Sequence, residues 1–153
     1  MKKVLLIATG GTIASGYTKE GLVPKIAAED LLQYVRDYTA FCRVDILQPF
    51  CLDSTNIYAE HWLKLTQLIE ENYELYDGFV ICHGTDTMAF TAAALSYLVQ
   101  NSQKPIVITG SQKPINLPVT DARTNLLDSL RFASDERAHG VNIVFGGNAI
   151  AGT

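Results

Sequence analysis

The chain has 153 residues, 48% hydrophobic and 18% charged, which suits one ordered domain with its own core. A net charge of −4 argues against a nucleic-acid-binding surface, and no basic run is offered to an anionic membrane. The three cysteines, Cys42, Cys51 and Cys82, cannot all pair, and their spacing fits neither a zinc ribbon nor a redox CxxC, so reduced thiols in a cytoplasmic protein are the simplest reading.

Met1-Lys2-Lys3 followed by an apolar run at 4–8 imitates a secretory leader, but the run is too short and Gly10-Gly11 interrupts it. It reads instead as a first strand, and no apolar stretch is long enough to span a bilayer. Further strands are predicted at 44–48, 79–82, 106–109 and 141–145, with amphipathic helices at 28–38, 59–73, 88–99 and 121–134 between them. Trp62, Leu65, Leu68 and Ile69 recur at helical spacing, as do Leu126, Leu127, Leu130 and Ala133. Short, nearly all-apolar strands alternating with helices predict an α/β fold: an open parallel sheet of about five strands in βαβ order, covered by helices on both faces. Such sheets bind ligands outside the carboxyl ends of their strands. Those ends carry Thr9–Ser15, Asp53-Ser54-Thr55-Asn56, His83–Thr87, Thr109–Lys113 and Gly146-Gly147-Asn148, so the polar clusters gather on one rim.

The most informative stretch is His83-Gly84-Thr85-Asp86-Thr87, where a buried strand gives way to a helix. Thr85, Asp86 and Thr87 could simply cap that helix, although Asp86 could also hold a ligand amine. The loop after the first strand, Thr9-Gly10-Gly11-Thr12-Ile13-Ala14-Ser15, is not a phosphate cradle. It lacks GxGxxG, its GxxxxG is followed by Tyr17-Thr18, and the next predicted helix starts too far downstream. Relief of a tight turn explains Gly10 and Gly11 but not Thr12 and Ser15 beside them. Asp53-Ser54-Thr55-Asn56 reads as a turn with Asn56 capping the following helix, which leaves Ser54 and Thr55 free to bind a carboxylate. His83 has no second metal ligand at helical spacing and reads as structural, and GxSxG is absent.

Taken together, Ala8-Thr9-Gly10-Gly11-Thr12-Ile13-Ala14-Ser15 and Gly78-Phe79-Val80-Ile81-Cys82-His83-Gly84-Thr85-Asp86-Thr87-Met88 resemble, in order, the two signatures of the bacterial-type L-asparaginases. Asp53-Ser54, Lys104-Pro105, Thr109-Gly110-Ser111-Gln112, Asp121 and Asn125-Leu126 match further positions, so the resemblance covers essentially the whole chain and is nearest the cytoplasmic, type I branch. That family hydrolyses asparagine, sometimes glutamine, to the acid and ammonia with neither metal nor cofactor. The resemblance implies that Thr12 is the nucleophile, Thr85 the second catalytic threonine, and Asp86 a catalytic-site residue gripping the α-ammonium of the substrate. It further implies substrate contacts at Gly11, Asp53, Ser54, Thr55, Gly84 and Ser111, with Ser54 on the α-carboxylate, and a homo-oligomer, dimer or tetramer, at full length.

There are two departures from the family pattern. Leu22 stands where the family often has a loop tyrosine, with Tyr17 five residues earlier as a candidate substitute. The family's catalytic lysine falls beyond Thr153, Lys113 lies in a different loop, and residues 1–153 are expected to be the N-terminal domain without the C-terminal one. Two other readings stand beside this one. One is the asparaginase-like subunit of a tRNA-dependent amidotransferase, although such subunits usually carry an extra N-terminal domain. The other is a non-catalytic amino-acid- or nucleotide-binding module of similar fold.

Overall fold

A computed structural model describes residues 1–153. Its main sheet contains β1 (Lys2–Ala8), β4 (Cys42–Leu47), β5 (Gly78–Cys82), β6 (Pro105–Thr109), β7 (Gly140–Phe145) and β8 (Asn148–Ala151) in the order β4-β1-β5-β6-β7-β8. The first five of these run parallel, as the apolar strands and intervening helices require, and β8 pairs antiparallel with β7. β8 is a sixth strand beyond the expected five. Gly146 and Gly147, at φ 58° and 77°, make the two-residue turn whose twist suits a hairpin.

The helices α2 (Ala59–Asn72), α3 (Met88–Leu98) and α4 (Ala122–Ala133) form where the periodicity places them. The predicted helix at 28–38 does not form. α1 covers only Ala28–Leu31, followed by 3-10 turns at Leu32–Tyr34 and Arg36–Ala40. Its N-cap is Ala27, which offers no side-chain oxygen, and Val35 breaks the helix at φ −136°, ψ 40°. Leu31, Leu32 and Val35 still bury themselves, so packing follows the apolar pattern even where backbone geometry does not.

Strand alternation sends Val4, Leu6, Val80 and Val107 to one face, against Leu31, Leu126 and Leu130. Leu5, Ile7, Phe79, Ile81, Ile106 and Ile108 go to the other, against Leu65, Ile69, Met88 and Leu95. The central strands β1, β5 and β6 are therefore dry on both sides, and their carboxyl ends are left for chemistry. From β1 the chain goes next to β4 on one side, whereas β5 lies on the other, so the strand order reverses between β1 and β5. This reversal opens a crevice at the carboxyl ends. Over the crevice sits a hairpin the periodicity did not reveal, β2 (Ser15–Thr18) with β3 (Gly21–Pro24), in which Tyr17 pairs directly with Leu22.

Candidate active site

Three loops meet at the crevice, and glycine lets their backbones touch. A Cβ on Gly11 would lie 2.6 Å from the Gly84 nitrogen, and one on Gly84 would lie 2.7 Å from the Ser54 Cβ. Gly11 has φ 83°, ψ 178°, a conformation that is essentially restricted to glycine. It delivers Thr12 at the head of a 3-10 turn, Thr12–Ala14, where the Ser15 hydroxyl donates to the Gly11 carbonyl at 2.7 Å. On the second loop, the Asp53 Oδ1 accepts from the amide and hydroxyl of Thr55, both at 3.0 Å, and so shapes the turn that carries Ser54. The third loop is fixed by Thr87, whose Oγ1 donates to the Ser54 carbonyl at 2.7 Å.

The resulting cavity, about 140 Å³, is lined by Gly11, Thr12, Ser15, Asp53, Ser54, Gly84, Thr85 and Asp86, with Leu22 and Pro24 from the hairpin. Among the predicted residues, Gly11, Thr12, Asp53, Ser54, Gly84, Thr85 and Asp86 are brought together. Thr55 is exposed outside the cavity, tied to Asp53, and Ser111 is buried with its hydroxyl donating to the Lys113 carbonyl at 2.6 Å. Ser15, Leu22 and Pro24 had no predicted ligand role. The hydroxyl of Ser15 beside Gly10-Gly11 was a usable signal, whereas Leu22 and Pro24 reach the cavity only because the exposed hairpin folds back.

Electrostatically the cavity carries the Asp53 and Asp86 carboxylates and no basic side chain. Asp86 is exposed and forms neither a salt bridge nor a hydrogen bond to the helix after it, and Thr87 at the N-cap makes no side-chain cap bond. Helix capping therefore does not account for Asp86. Asn56 is not the cap of α2 either. That position falls to Tyr58, whose amide donates to His61 Nδ1 at 2.9 Å, because Ser54–Asn56 are taken up by their own 3-10 turn.

Behind the cavity His83 is wholly buried, with Nδ1 2.6 Å from the Gly84 carbonyl and Nε2 2.8 Å from Thr91 Oγ1, which also accepts from Trp62 Nε1 at 2.9 Å. A carbonyl can only accept, so Nδ1 carries the proton and Nε2 receives the threonine hydroxyl. Burial pushes the His83 pKa down, keeping the ring neutral, and pushes the neighbouring Cys82 thiol up to about 12. Other rim polar groups stitch the strands together. Thr9 Oγ1 donates to the Cys82 carbonyl and Thr109 Oγ1 to that of Val144, both at 2.7 Å. The Asn125 amide links the Gly110 carbonyl at 2.9 Å to the Gly146 amide at 3.0 Å.

An open α/β sheet with two threonines, a serine and an unpaired carboxylate at its switch point has counterparts among known proteins. The family described as "Asparaginase, N-terminal" matches residues 3–153, and the chain belongs to that family. It is 43% identical over 135 residues to an L-asparaginase of Thermococcus kodakarensis, covering 86% of this chain and 40% of that protein. It is 36% identical over 149 residues to a glutamyl-tRNA(Gln) amidotransferase subunit of Pyrococcus abyssi, covering 95% of this chain and 34% of that one. The crystal structure of L-asparaginase I from Vibrio cholerae superposes with a TM-score of 0.89 at 33% identity, over 99% of this chain and 46% of that one. The chain thus spans less than half the length of these relatives.

Proposed function

We propose that this domain carries the reacting threonines of an amidohydrolase that converts L-asparagine, or its longer homologue L-glutamine, with water into the amino acid's free carboxylate and ammonia. The observation that supports this best is the convergence of Thr12, Ser54, Thr85 and Asp86 on one cavity that has no basic side chain in its wall. A zwitterionic amino acid needs an anion for its ammonium and neutral donors for its carboxylate. Asp86, otherwise unpaired, takes the first role and the Ser54 hydroxyl the second, with Asp53, Gly11 and Gly84 shaping the walls. Thr12 Oγ attacks the side-chain amide carbon, ammonia leaves, and water releases aspartate from the threonine ester. Backbone amides near Thr12 and Thr85 serve the oxyanion, where a single well-aimed donor contributes roughly 10²–10³ in rate.

A threonine hydroxyl needs a base, and residues 1–153 place no lysine in the cavity. The lysine implied by the family resemblance would come from further along the chain, so residues 1–153 alone are expected to turn over little asparagine, general acid–base help being worth roughly 10²–10⁴-fold. The proposal includes a cytoplasmic homo-oligomer. The charge-free α3 exposes Phe90, Tyr97 and Leu98, apolar surface that an assembly would cover.

The test is ammonia release from asparagine by the protein carried to its natural C-terminus. Thr12→Ala should abolish turnover and keep aspartate binding measurable, whereas wild-type turnover in Thr12→Ala with an inactive Thr85→Ala would move the nucleophile to Thr85. The likeness to an amidotransferase component supports a second reading, in which the ammonia passes to a partner. Turnover that requires glutamyl-tRNA would favour it.

A further inference from the structure

The segment between β6 and α4 is held largely by side chains. Asp121 accepts the amides of Gln112 at 2.8 Å and Lys113 at 3.1 Å, and Thr120 Oγ1 donates to the Lys113 carbonyl at 3.0 Å. Arg123, in the first turn of α4, reaches back over the same segment. Its Nε donates to the Ile115 carbonyl at 3.2 Å and its Nη2 to the Leu117 carbonyl at 3.0 Å, with the guanidinium 5.5 Å from the centre of the Tyr34 ring. Ile115 itself is fully buried, and its amide donates to the carbonyl of Ile13 at 3.2 Å. Ile13, also fully buried, is the residue after Thr12.

We propose that Arg123 is a positioning residue for Thr12, acting through Ile115 and Ile13. The turn that presents Thr12 is a three-residue 3-10 turn, whose own hydrogen-bond geometry is weak, so its direction depends on what grips it from outside. On one side the grip is the end of the hairpin, where the amides of Lys25 and Ile26 both donate to the Ala14 carbonyl, at 3.0 and 2.9 Å. On the other side it is Ile115. Slippage of the 114–117 turn would leave the buried Ile13 carbonyl without this donor, which is costly in a dry site. The planar guanidinium suits the task because its fork addresses two carbonyls at once, while an ammonium is a single point charge. Tyr34, on the other side of the guanidinium, belongs to the 3-10 turn after α1, so Arg123 also joins the chain that leaves the hairpin.

The residues that grip the substrate ends, Ser54 and Asp86, sit on other loops. Loosening Arg123 should therefore misplace the nucleophile and leave binding intact. A displacement of about 1 Å in a reacting group can cost about 10²-fold in rate.

This inference rests on Thr12 as the nucleophile, so its test has one arm independent of chemistry. Hydrogen exchange is followed at the Ile115 amide in the protein and in Arg123→Gln and Arg123→Lys. Exchange there should accelerate about tenfold or more in Arg123→Gln and by less in Arg123→Lys, with amides of β5 and α2 unchanged, as expected of a local opening. In the second arm, Arg123→Gln in the protein carried to its natural C-terminus should lose between about tenfold and 10²-fold in kcat for L-asparagine at nearly constant KM. Unchanged protection of Ile115 in Arg123→Gln would overturn the proposal, as would uniform loss of protection throughout the chain or a rise in KM with kcat preserved. The exchange arm stands or falls without reference to Thr12, whose own role Thr12→Ala decides.

Discussion

Replacing Gly11 by alanine should damage this protein through two separable effects, and Gly21 provides the control. At Gly11 the new Cβ would sit 2.6 Å from the Gly84 nitrogen, 2.7 Å from its Cα and 2.9 Å from the His83 carbonyl carbon, all backbone atoms that cannot swing aside. Forcing such a contact costs about 1–3 kcal/mol by analogy with overpacked cores. The backbone at φ 83°, ψ 178° adds about 1–3 kcal/mol of strain for any residue with a side chain. At Gly21, φ is 110° and nothing lies within 4 Å of a Cβ, so strain alone remains. Gly11→Ala should therefore be less stable than Gly21→Ala by about 1–3 kcal/mol, the contact contribution. For a chain of this size that difference lowers Tm by roughly 2–4 °C per kcal/mol. Urea unfolding of the two variants, with equal m-values, measures the difference directly. If Gly11→Ala lost no more stability than Gly21→Ala, the close approach of the first and third loops would not exist in solution, and the geometry assigned to Thr12 would go with it.

Asp86→Asn keeps the shape of the cavity wall and removes its unpaired charge. Loss of a hydrogen bond to a charged group, worth about 1.5–3 kcal/mol, should raise KM for asparagine by roughly 10- to 10²-fold, and an unchanged KM would leave Asp86 without a ligand role. Ser54→Ala should weaken aspartate binding measured by calorimetry without lowering Tm by more than a few degrees. A large loss of Tm would make the 3.4 Å hydrogen bond that the Ser54 hydroxyl accepts from the Thr87 amide its main role. His83 is held neutral in the folded state, while in the unfolded chain it takes up a proton near pH 6.5. Below about pH 6.5 the unfolded state binds the extra proton, so this residue makes stability fall as pH drops and contributes no slope above that range. His83→Leu should flatten the stability profile below about pH 6.5, and an unaltered slope would contradict the burial of a neutral ring.

The rim of this fold is legible in sequence because its signals are local. Gly-Gly-Thr and Gly-Thr-Asp-Thr follow apolar strands directly, and the α/β alternation sends both to the same end of the sheet. The hairpin was not legible, since Ser15–Thr18 and Gly21–Pro24 carry no apolar alternation and stay largely exposed, and so Leu22 and Pro24 were missed as cavity wall. Residues 28–38 show the opposite failure. Their apolar spacing is helical, but an uncapped start and the break at Val35 leave mostly 3-10 turns. Asn56 looked like a helix cap because the second turn, which moves the start of α2 to Ala59, is visible only in three dimensions. Thr55 and Ser111 belong to the right loops, yet their hydroxyls are spent on Asp53 and Lys113. Which hydroxyl in a cluster stays free depends on its neighbours' partners, and these are not written in local spacing.

The side-chain stitches at the strand ends have an implication for how such a site can change. Thr9 and Thr109 each add a side-chain rung where the backbone bonds between strands come to an end, and Asn125 adds another across β6 and β7. Neighbouring strands are spaced about 4.8 Å apart, and these rungs carry that spacing outward into the loops. The spacing between the roots of the Thr12 and Thr85 loops is thereby inherited from the sheet, and the loop contacts only have to set what lies beyond them. The β2–β3 hairpin, exposed on most of its length and joined to the body near Ala14, stands outside that lattice. As long as its closing bonds to Ala14 stay in place, its length and side chains can be exchanged to reshape the mouth of the cavity, so under the proposed function substrate range can change without moving the Thr12 and Thr85 loops.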